Sequence, residues 1–191
     1  HSRVLKRPER GVIYDRNGIP LAVNKDVESL AASPRLFQRS FPKKKSRERN
    51  IKRLSLALQI PERILRKRLL SRRDFVWIKR HLNAEHLRRM KIHKLFVSRE
   101  QLQKGLWLVK EKARHYPLGE VSANVLGDVN IDSIGLEGIE LWQNEHLGGK
   151  GSFLRGLKDA LGRSAFVEAD RIDQIENGKP VTLTVDSALQ F

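Results

Sequence analysis

The segment Gly11–Ala22, GVIYDRNGIPLA, is the feature that most restricts the fold of this chain. Asn17-Gly18 stands between two apolar runs, and an Asn-Gly pair in that setting is the strongest short-range signal for a β-hairpin. Because Asn and Gly both tolerate a positive φ, we predict a two-residue type I′ loop. Pro20 cannot donate a ladder hydrogen bond, so we expect the return strand to lie at a sheet edge or to be irregular.

Charge is distributed unevenly along the 191 residues, which carry a formal net charge of +16. Residues 35–114 contain 26 Lys and Arg against 6 Asp and Glu, whereas the rest of the chain is slightly acidic. This asymmetry indicates an anionic partner, and nucleic acid, a lipid headgroup surface and an acidic polymer all fit it. A solvated basic surface without a specific partner is the alternative.

Composition excludes several classes of protein. The absence of cysteine excludes disulfides, thiolate zinc sites and cysteine nucleophiles. The longest stretches without Lys, Arg, Asp or Glu are Asn17–Asn24 and Leu54–Pro61, which are much shorter than the roughly 20 apolar residues of a membrane-spanning helix. We find no signal peptide, and we expect His1 to be a cut end rather than a natural start.

Residues 40–110 have the apolar spacing of a small α/β lobe that coincides with the basic block. Helices are predicted from Ser46, from Pro61 and after an Asn83 cap. Their apolar stripes are Ile51, Leu54 and Leu58, then Ile64, Leu65 and Leu69, then Leu87, Met90 and Leu95.

Two strands are predicted in the same lobe, at residues 75–78 and 106–109. We expect them to pair with each other under one layer of helices, with Trp77 and Trp107 in the core. Further along the chain, the pattern predicts short helices at 117–126 and from Ile134, the latter with Leu136, Ile139, Trp142 and Leu147 on apolar positions, and strands at 152–158 and 181–185.

No complete catalytic set is found. Serine–lysine acyl-transfer enzymes need Ser-x-x-Lys at a helix start, with a Ser-x-Asn and a Lys-Thr-Gly element elsewhere. The one Ser-x-x-Lys here, Ser40–Lys43, lies in a basic loop, Ser122–Asn124 resembles the second element by chance, and the third is absent. We predict no catalytic residue in this chain.

Other ligand motifs are equally incomplete. Gly148–Ser152, GGKGS, lacks the Gly-Lys-Ser/Thr order of a phosphate loop, and His86 and His93 lack a third metal ligand. Glu137 and Glu140 have the spacing of a carboxylate pair, but negative charges near a predicted helix start are explained by their favourable interaction with the helix dipole. No RNP pattern, zinc finger or basic heptad is present. We therefore predict no metal, no cofactor, no small-molecule substrate and no specific nucleic acid.

Five segments follow one another along nearly the whole chain: RGVIYDRNGIPLA, RHYPLG with VLG, GLEGIE, LGGKG and VTLTVDSALQ. This series resembles class B penicillin-binding proteins, which are membrane-anchored transpeptidases that cross-link bacterial peptidoglycan. The matching region of that family is the non-catalytic N-terminal module, called the dimerisation or pedestal domain. The block Val125–Arg163 is more similar to the division-specific type than to the elongation-specific type.

The resemblance implies an α+β fold, with an elongated pedestal whose extended β core is built from discontinuous segments, and an inserted α/β head lobe. It implies a pedestal at residues 1–39 and 111–180, a head lobe at 40–110, and the start of the transpeptidase domain at 181–191. We expect residues 4–33 to form a sheet with strands from about 150–185. The family's serine nucleophile and its two other active-site motifs are absent from this chain.

The resemblance also implies that three motifs hold separate segments together. They contribute Arg10, Gly11, Asp15, Arg16, Asn17 and Gly18, then Arg114, Tyr116, Pro117 and Gly119, then Gly135, Gly138 and Glu140. Buried Arg–carboxylate pairs are geometrically specific, and Asp15, Arg10 or Arg114 with Glu140 are candidates. The sequence leaves the pairing open.

The expected location is the periplasmic face of the inner membrane, reached through an N-terminal membrane helix. The implied partners are other cell-wall synthesis and division membrane proteins, including a glycosyltransferase. An elongation-type module, a stand-alone enzyme and a basic nucleic-acid-binding protein are the alternatives. For the basic lobe we expect contact with an anionic membrane surface through Arg63, Arg66, Lys67, Arg72 and Arg73.

Overall fold

The computed structural model describes residues 2–6, 8–95, 102, 104–119, 123–150, 152–158, 164–166 and 176–190. The strands described are β1 (Ser2–Lys6), β2 (Ile13–Tyr14), β3 (Pro20–Ala32), β4 (Val76–Leu82), β5 (Leu106–His115), β6 (Ser152–Lys158), β7 (Ser164–Phe166) and β8 (Val181–Thr182). The helices are α1 (Pro34–Ser40), α2 (Lys44–Leu58), α3 (Glu62–Leu69), α4 (Ala84–Ile92), α5 (Ala123–Leu126), α6 (Gly138–Trp142), α7 (Asn144–Gly148) and α8 (Ser187–Gln190). This mixture of helices and open sheets confirms the α+β fold class.

The chain divides into two compact units, residues 1–25 with 112–191 and residues 26–111. The first division falls at residue 25, whereas the family resemblance predicts a pedestal segment that reaches residue 39. Residues beyond 25 belong with the helices because Leu30, Ala32 and Phe37 are fully buried in the core that the helices form.

In the unit formed by residues 26–111, helices α1 to α4 pack on strands β3, β4 and β5. Strand β4 runs antiparallel to the second half of β3, and β5 also pairs with β3. The expected pairing of β4 with β5 is therefore wrong for the described residues. The apolar end of β3 supplies the strand that both of them use.

The core of this unit follows the predicted helical stripes at most positions. Ile51, Leu54 and Leu58 of α2 are fully buried, as predicted. Leu65 of α3 is also buried, but Ile64 is 37% exposed because it lies about 100° around the helix from Leu65.

The prediction of the α4 start is confirmed. The Asn83 side chain accepts a hydrogen bond from the backbone N–H of His86 at 2.9 Å. The His86 ring nitrogen accepts in return from the backbone N–H of Asn83, which completes a capping box.

Trp77 and Trp107 lie outside the buried core, contrary to prediction. Each packs against Phe75, with ring centroids 5.1 Å apart for Trp77 and 5.9 Å for Trp107. Phe75 is 45% exposed, and the Arg80 guanidinium lies 5.3 Å from the centre of the Trp77 ring. Alternation along the strands puts these aromatic rings on the face away from the helices.

In the unit formed by residues 1–25 and 112–191, distant segments pair as strands. Strand β1 is antiparallel to β6, which is antiparallel to β7. Strand β2 forms a hairpin with β3 and also pairs in parallel with β8, through Ile13 with Val181 and Tyr14 with Thr182. The first residues of the chain thus pair with strands from the region 150–185, as expected.

The hairpin turn differs from the predicted type I′ loop. The backbone N–H of Asp15 donates to Ile19 O at 2.9 Å, and that of Gly18 donates to Asp15 O at 3.1 Å. Gly18 has a φ of 80°, whereas Asn17 does not adopt a positive φ. The loop is therefore a three-residue connection, in which a type I turn is followed by a left-handed glycine. The register shifts next to Pro20, which agrees with the expected irregularity.

The segment after the lobe is less regular than predicted. Two short helices, α6 and α7, replace the single helix expected from Ile134. Leu147 is buried, but Leu136 and Trp142 are 56% and 77% exposed, so their predicted apolar roles are wrong. Among the described residues, the predicted helix at 117–126 is confined to α5, and the strand at 181–185 to β8.

No helix in the described part of the chain is both long enough and apolar enough to cross a bilayer.

Candidate functional site

The centre of the candidate site is the carboxylate of Glu140, which is fully buried in α6. Its Oε2 accepts from Arg10 Nε at 2.6 Å, and its Oε1 accepts from Arg114 Nε at 2.7 Å. Both arginine side chains are at most 2% exposed. The pairing left open by the sequence is therefore a shared one, because a single carboxylate bridges two arginines from distant segments.

Arg10 fixes the loop around α6 with its remaining nitrogens. Its Nη1 donates to Ser133 O at 2.8 Å and to Asn144 Oδ1 at 3.0 Å, and its Nη2 donates to Glu140 O at 2.7 Å. Asn144 Oδ1 also accepts from the backbone N–H of Gly135 at 2.9 Å. One side chain near the start of the chain thus organises residues 133–144.

Asn24 ties the two arginines to each other. Its Nδ2 donates to Arg10 O at 2.6 Å, and its Oδ1 accepts from Arg114 Nη1 at 3.3 Å. No sequence motif pointed to Asn24 or Asn144, because an isolated asparagine carries no pattern. The only available signal for Asn24 was its position on the hairpin strand next to the first motif.

Tyr116 closes the site on the side of Arg114. Its hydroxyl donates to Glu140 Oε1 at 3.5 Å. Burial raises the pKa of Tyr116, and the negative charge of Glu140 raises it further. The phenol therefore remains a neutral donor to the carboxylate.

The site carries excess positive charge, since two guanidinium groups share one carboxylate. Arg114 Nη2 is buried and has no hydrogen-bond partner among the described residues. A buried ion pair is costly to break from one side, because the remaining charge is left without compensation. Glu140 is therefore the residue on which the arrangement depends most.

Asp15 is a second buried carboxylate, and it serves the hairpin turn. Its Oδ1 accepts from the backbone N–H groups of Asn17 and Ile19, both at 2.8 Å. Its Oδ2 accepts from Ser187 Oγ at 2.7 Å and from the Ser187 N–H at 3.2 Å. Burial acts to raise the pKa of Asp15, but these hydrogen bonds outweigh it and lower the pKa to about 2.

The backbone extends the contact between the turn and residues 178–187. Arg16 donates from its N–H to Val185 O at 3.0 Å and from its Nε to Thr184 O at 2.8 Å. Gly11 donates its N–H to Leu147 O at 2.8 Å, and a Cβ on Gly11 would overlap the carbonyl of Lys179. The first motif therefore contacts both the end of α7 and the last described residues.

The remaining motif residues shape the backbone. Pro117 and Gly119 form the turn after Tyr116, in which the Gly119 N–H donates to Tyr116 O at 3.0 Å. Gly138 has a φ of 60°, and a Cβ there would lie 2.6 Å from Gly127 N. Gly135 is buried, and a Cβ on it would overlap the Glu140 carbonyl. Only glycine allows this close approach of the loop to α6.

The basic residues expected to meet a membrane do not behave alike. Arg66 Nη2 pairs with Glu48 Oε2 at 2.6 Å, and this bond is the main cause that lowers the pKa of Glu48. Arg66 is thus already engaged within the unit. The other four, Arg63, Lys67, Arg72 and Arg73, are exposed.

The structure separates the residues of the incomplete catalytic motif. Ser40 is the last residue of α1, whereas Lys43 precedes α2, so the two do not share a helical turn. Within the described residues, no group of three or more His, Asp or Glu side chains is placed to hold a metal ion.

Comparison with known proteins identifies relatives of this chain. The chain matches the family model of the penicillin-binding protein dimerisation domain over residues 5–183. Stage V sporulation protein D of Bacillus subtilis is 32% identical, over 96% of this chain and 26% of that protein. The probable peptidoglycan D,D-transpeptidase PenA of Neisseria meningitidis is 32% identical, over 95% of this chain and 29% of that protein. The peptidoglycan D,D-transpeptidase FtsI of Escherichia coli is 30% identical, over 95% of this chain and 29% of that protein.

Solved structures share the fold. A complex between penicillin-binding protein PBP2 and MreC from Helicobacter pylori matches with a TM-score of 0.69 and 18% identity, over 99% of this chain and 37% of that chain. A peptidoglycan synthetase from Bifidobacterium adolescentis matches with a TM-score of 0.55 and 22% identity, again over 99% of this chain and 37% of that chain.

The fold and these matches define a dimerisation module of the class B penicillin-binding proteins. The chain belongs to the penicillin-binding protein dimerisation-domain family, which confirms the family recognised from the sequence motifs. It spans less than a third of the length of the curated relatives described above.

Proposed function

We propose that this chain is the non-catalytic scaffold of a membrane-anchored peptidoglycan D,D-transpeptidase used in septal cell-wall synthesis. The supporting observation is that residues 10–16 bind both the Glu140 loop and residues 178–187. A domain that follows residue 187 would be held on this frame. In the proposal, residues 181–191 begin the transpeptidase domain, residues 40–110 form the head lobe, and residues 1–39 with 111–180 form the pedestal, whose segment 26–39 packs with the helices of the lobe.

The proposed location is the periplasmic face of the inner membrane, with an N-terminal membrane helix as the anchor. The proposed partners are other cell-wall synthesis membrane proteins, including a glycosyltransferase, and an anionic membrane surface next to the basic lobe. The likeness to a penicillin-binding protein solved in complex with MreC supports a role in binding such proteins.

A test in the full-length protein separates scaffolding from catalysis. Asp15→Asn weakens the contact of the turn with Ser187 while leaving the proposed active site untouched. We expect the variant to retain labelling by fluorescent penicillin and to lose septum formation in cells that depend on it. Exposed Glu137→Gln is the matched control and should support division. Equal loss of labelling and division in a folded Asp15→Asn variant would contradict a non-catalytic role.

An elongation role is the second candidate, because the family match does not separate the two types. Depletion of the full-length protein distinguishes the two, because loss of a septal enzyme gives filaments and loss of an elongation enzyme gives rounded cells. Filaments support the septal proposal, and rounded cells replace it with the elongation role.

Nucleic-acid binding is tested by fluorescence anisotropy with short DNA and RNA duplexes at physiological salt. We expect weak binding with a steep salt dependence, which reports charge alone. Tight and sequence-selective binding would contradict the scaffold proposal.

A further inference from the structure

The unit formed by residues 26–111 has a surface pocket of about 320 Å³, lined by Arg35, Gln38, Arg39, Ser71 and Arg72. We propose that this arginine pocket binds a phosphate group, such as that of an anionic phospholipid headgroup or of a soluble phosphate ester. The inference deepens the membrane-surface part of the proposed function, on which it rests for its biological setting.

Hydrogen bonds fix the walls of the arginine pocket. Gln38 Nε2 donates to Leu69 O at 3.2 Å and to Ser71 O at 3.1 Å, which ties α1 to the turn that follows α3. Arg35 Nε donates to Arg72 O at 3.3 Å. These bonds bring arginines from two distant parts of the sequence to one opening.

The charges at the pocket are only partly balanced. Arg35 Nη1 lies 3.2 Å from Asp74 Oδ1, and both side chains are more than half exposed. The guanidinium groups of Arg39 and Arg72 have no partner among the described residues. Two cations are therefore free to meet a ligand, and a guanidinium group matches the oxygens of a phosphate in a bidentate manner.

Other arginines of the same unit are engaged by groups of the protein. Arg66 pairs with Glu48, Arg80 with Glu111, and Arg88 and Arg89 with Glu85, while Arg68 donates to the carbonyls of Trp77 and Ile78. Arg39 and Arg72 differ from these because both line an open pocket and neither guanidinium group has a partner among the described residues. Exposed arginines such as Arg63 and Arg73 do not line this pocket, so the opening shared by Arg39 and Arg72 is the place where two of these cations can bind one anion.

The experiment compares two variants with the same change of charge. Arg39→Gln with Arg72→Gln removes two positive charges from the pocket. Arg63→Gln with Lys67→Gln removes two positive charges from exposed positions on α3. Each protein is tested for co-sedimentation with vesicles of phosphatidylglycerol and phosphatidylcholine at low salt. Glycerol 3-phosphate is titrated in parallel, with the side-chain amide of Gln38 followed by NMR, and circular dichroism checks the fold.

The pocket pair should weaken vesicle binding about twentyfold or more, since a basic residue near an anionic surface contributes about 1 kcal/mol, a factor of about five. The α3 pair should weaken it less than fivefold, because in this proposal the pocket, and not the α3 surface first expected from the sequence, meets the lipid headgroups. The Gln38 amide should shift with glycerol 3-phosphate in the parent and in the α3 pair, but not in the pocket pair.

The two arms distinguish the sources of the phosphate. Selective loss of both signals in the pocket pair supports a lipid headgroup, and selective loss of the Gln38 shift alone supports a soluble phosphate ester. Equal vesicle binding by the two variant pairs, together with no NMR shift of the Gln38 amide in the parent, would refute phosphate binding at the pocket. If the parent then still bound vesicles, a membrane-surface role would survive without the pocket, so the two failures are distinguishable.

Discussion

Replacing Glu140 by Gln tests the buried network most directly. The substitution keeps the size and shape of the side chain but removes the negative charge between Arg10 and Arg114. Both arginine side chains are at most 2% exposed, so neither guanidinium can reach water without a rearrangement. Two buried cations would then face a neutral amide.

The expected cost is large. Breaking a buried pair from one side costs about 3–5 kcal/mol, because the partner charge remains buried without compensation. For a protein of this size, each kcal/mol lowers the melting temperature by about 2–4 °C. We therefore expect Glu140→Gln to lower the melting temperature by roughly 6–20 °C.

Thermal unfolding followed by circular dichroism measures the shift, with exposed Glu137→Gln as the control. Surface changes of that kind stay within about 0.5 kcal/mol. Arg114→Met added to Glu140→Gln should restore part of the lost stability, because it removes one of the two uncompensated cations. A shift below about 2 °C for Glu140→Gln, or a double variant less stable than the single one, would refute this account of the network.

Two further predictions concern the hairpin turn. Gly18→Val should destabilise the protein by about 1–3 kcal/mol, because Gly18 has a positive φ in the turn. Asn17→Val should be nearly neutral, because Asn17 does not adopt a positive φ. Equal melting temperatures for the parent and Gly18→Val would contradict the observed turn. The pKa of Asp15 is about 2 in the folded protein, below its ordinary value of 3.8, so its stabilisation is complete above that value and is lost as the pH falls towards 2. Asp15→Asn should remove this part of the acid dependence, which urea unfolding at pH 5 and pH 2.5 measures. If the free energy of unfolding fell by the same amount between the two pH values in the parent and in Asp15→Asn, the assignment to Asp15 would be wrong.

Local signals predicted the hairpin but not its turn type. Asn17-Gly18 favours a two-residue loop, yet the buried carboxylate of Asp15 accepts two backbone N–H groups that a three-residue loop presents to it. That carboxylate is held in turn by Ser187, which is 172 residues away. A contact so distant in sequence is outside any short window of residues.

In the candidate site, the sequence motifs identified the charged residues but not the asparagines that bond to them. The motifs included Arg10, Arg114 and Glu140, and the charges alone suggested a pair. The shared arrangement depends on Asn24 and Asn144, which bond the arginines from positions that no motif marks. Geometry supplied by the fold decides which donors reach the carboxylate.

The aromatic residues show where burial could not be predicted. Apolar strands at 75–78 and 106–109 suggested that Trp77 and Trp107 were core residues. Alternation along the strands puts Val76, Ile78 and Leu106 in the core, and the two indoles face outward. In a strand whose residues are apolar on both faces, the sequence does not decide which alternate set faces the core.

The long-range pairing in the unit formed by residues 1–25 and 112–191 has a consequence for the order of folding. Arg10 and Glu140 are 130 residues apart, and Asp15 and Ser187 are 172 apart, so neither contact can form until most of the chain is available. Closing such long loops before any contact forms slows folding.

The unit formed by residues 26–111 depends on far shorter separations, such as those between α2, α3 and α4. It can therefore fold while the later residues are still being synthesised, since domains fold as units and N-terminal ones fold first. The strand β2 then remains without β8 until residues 181–182 arrive. A truncation before residue 181 should therefore leave Ile13 and Tyr14 without their partners Val181 and Thr182 on that side of β2.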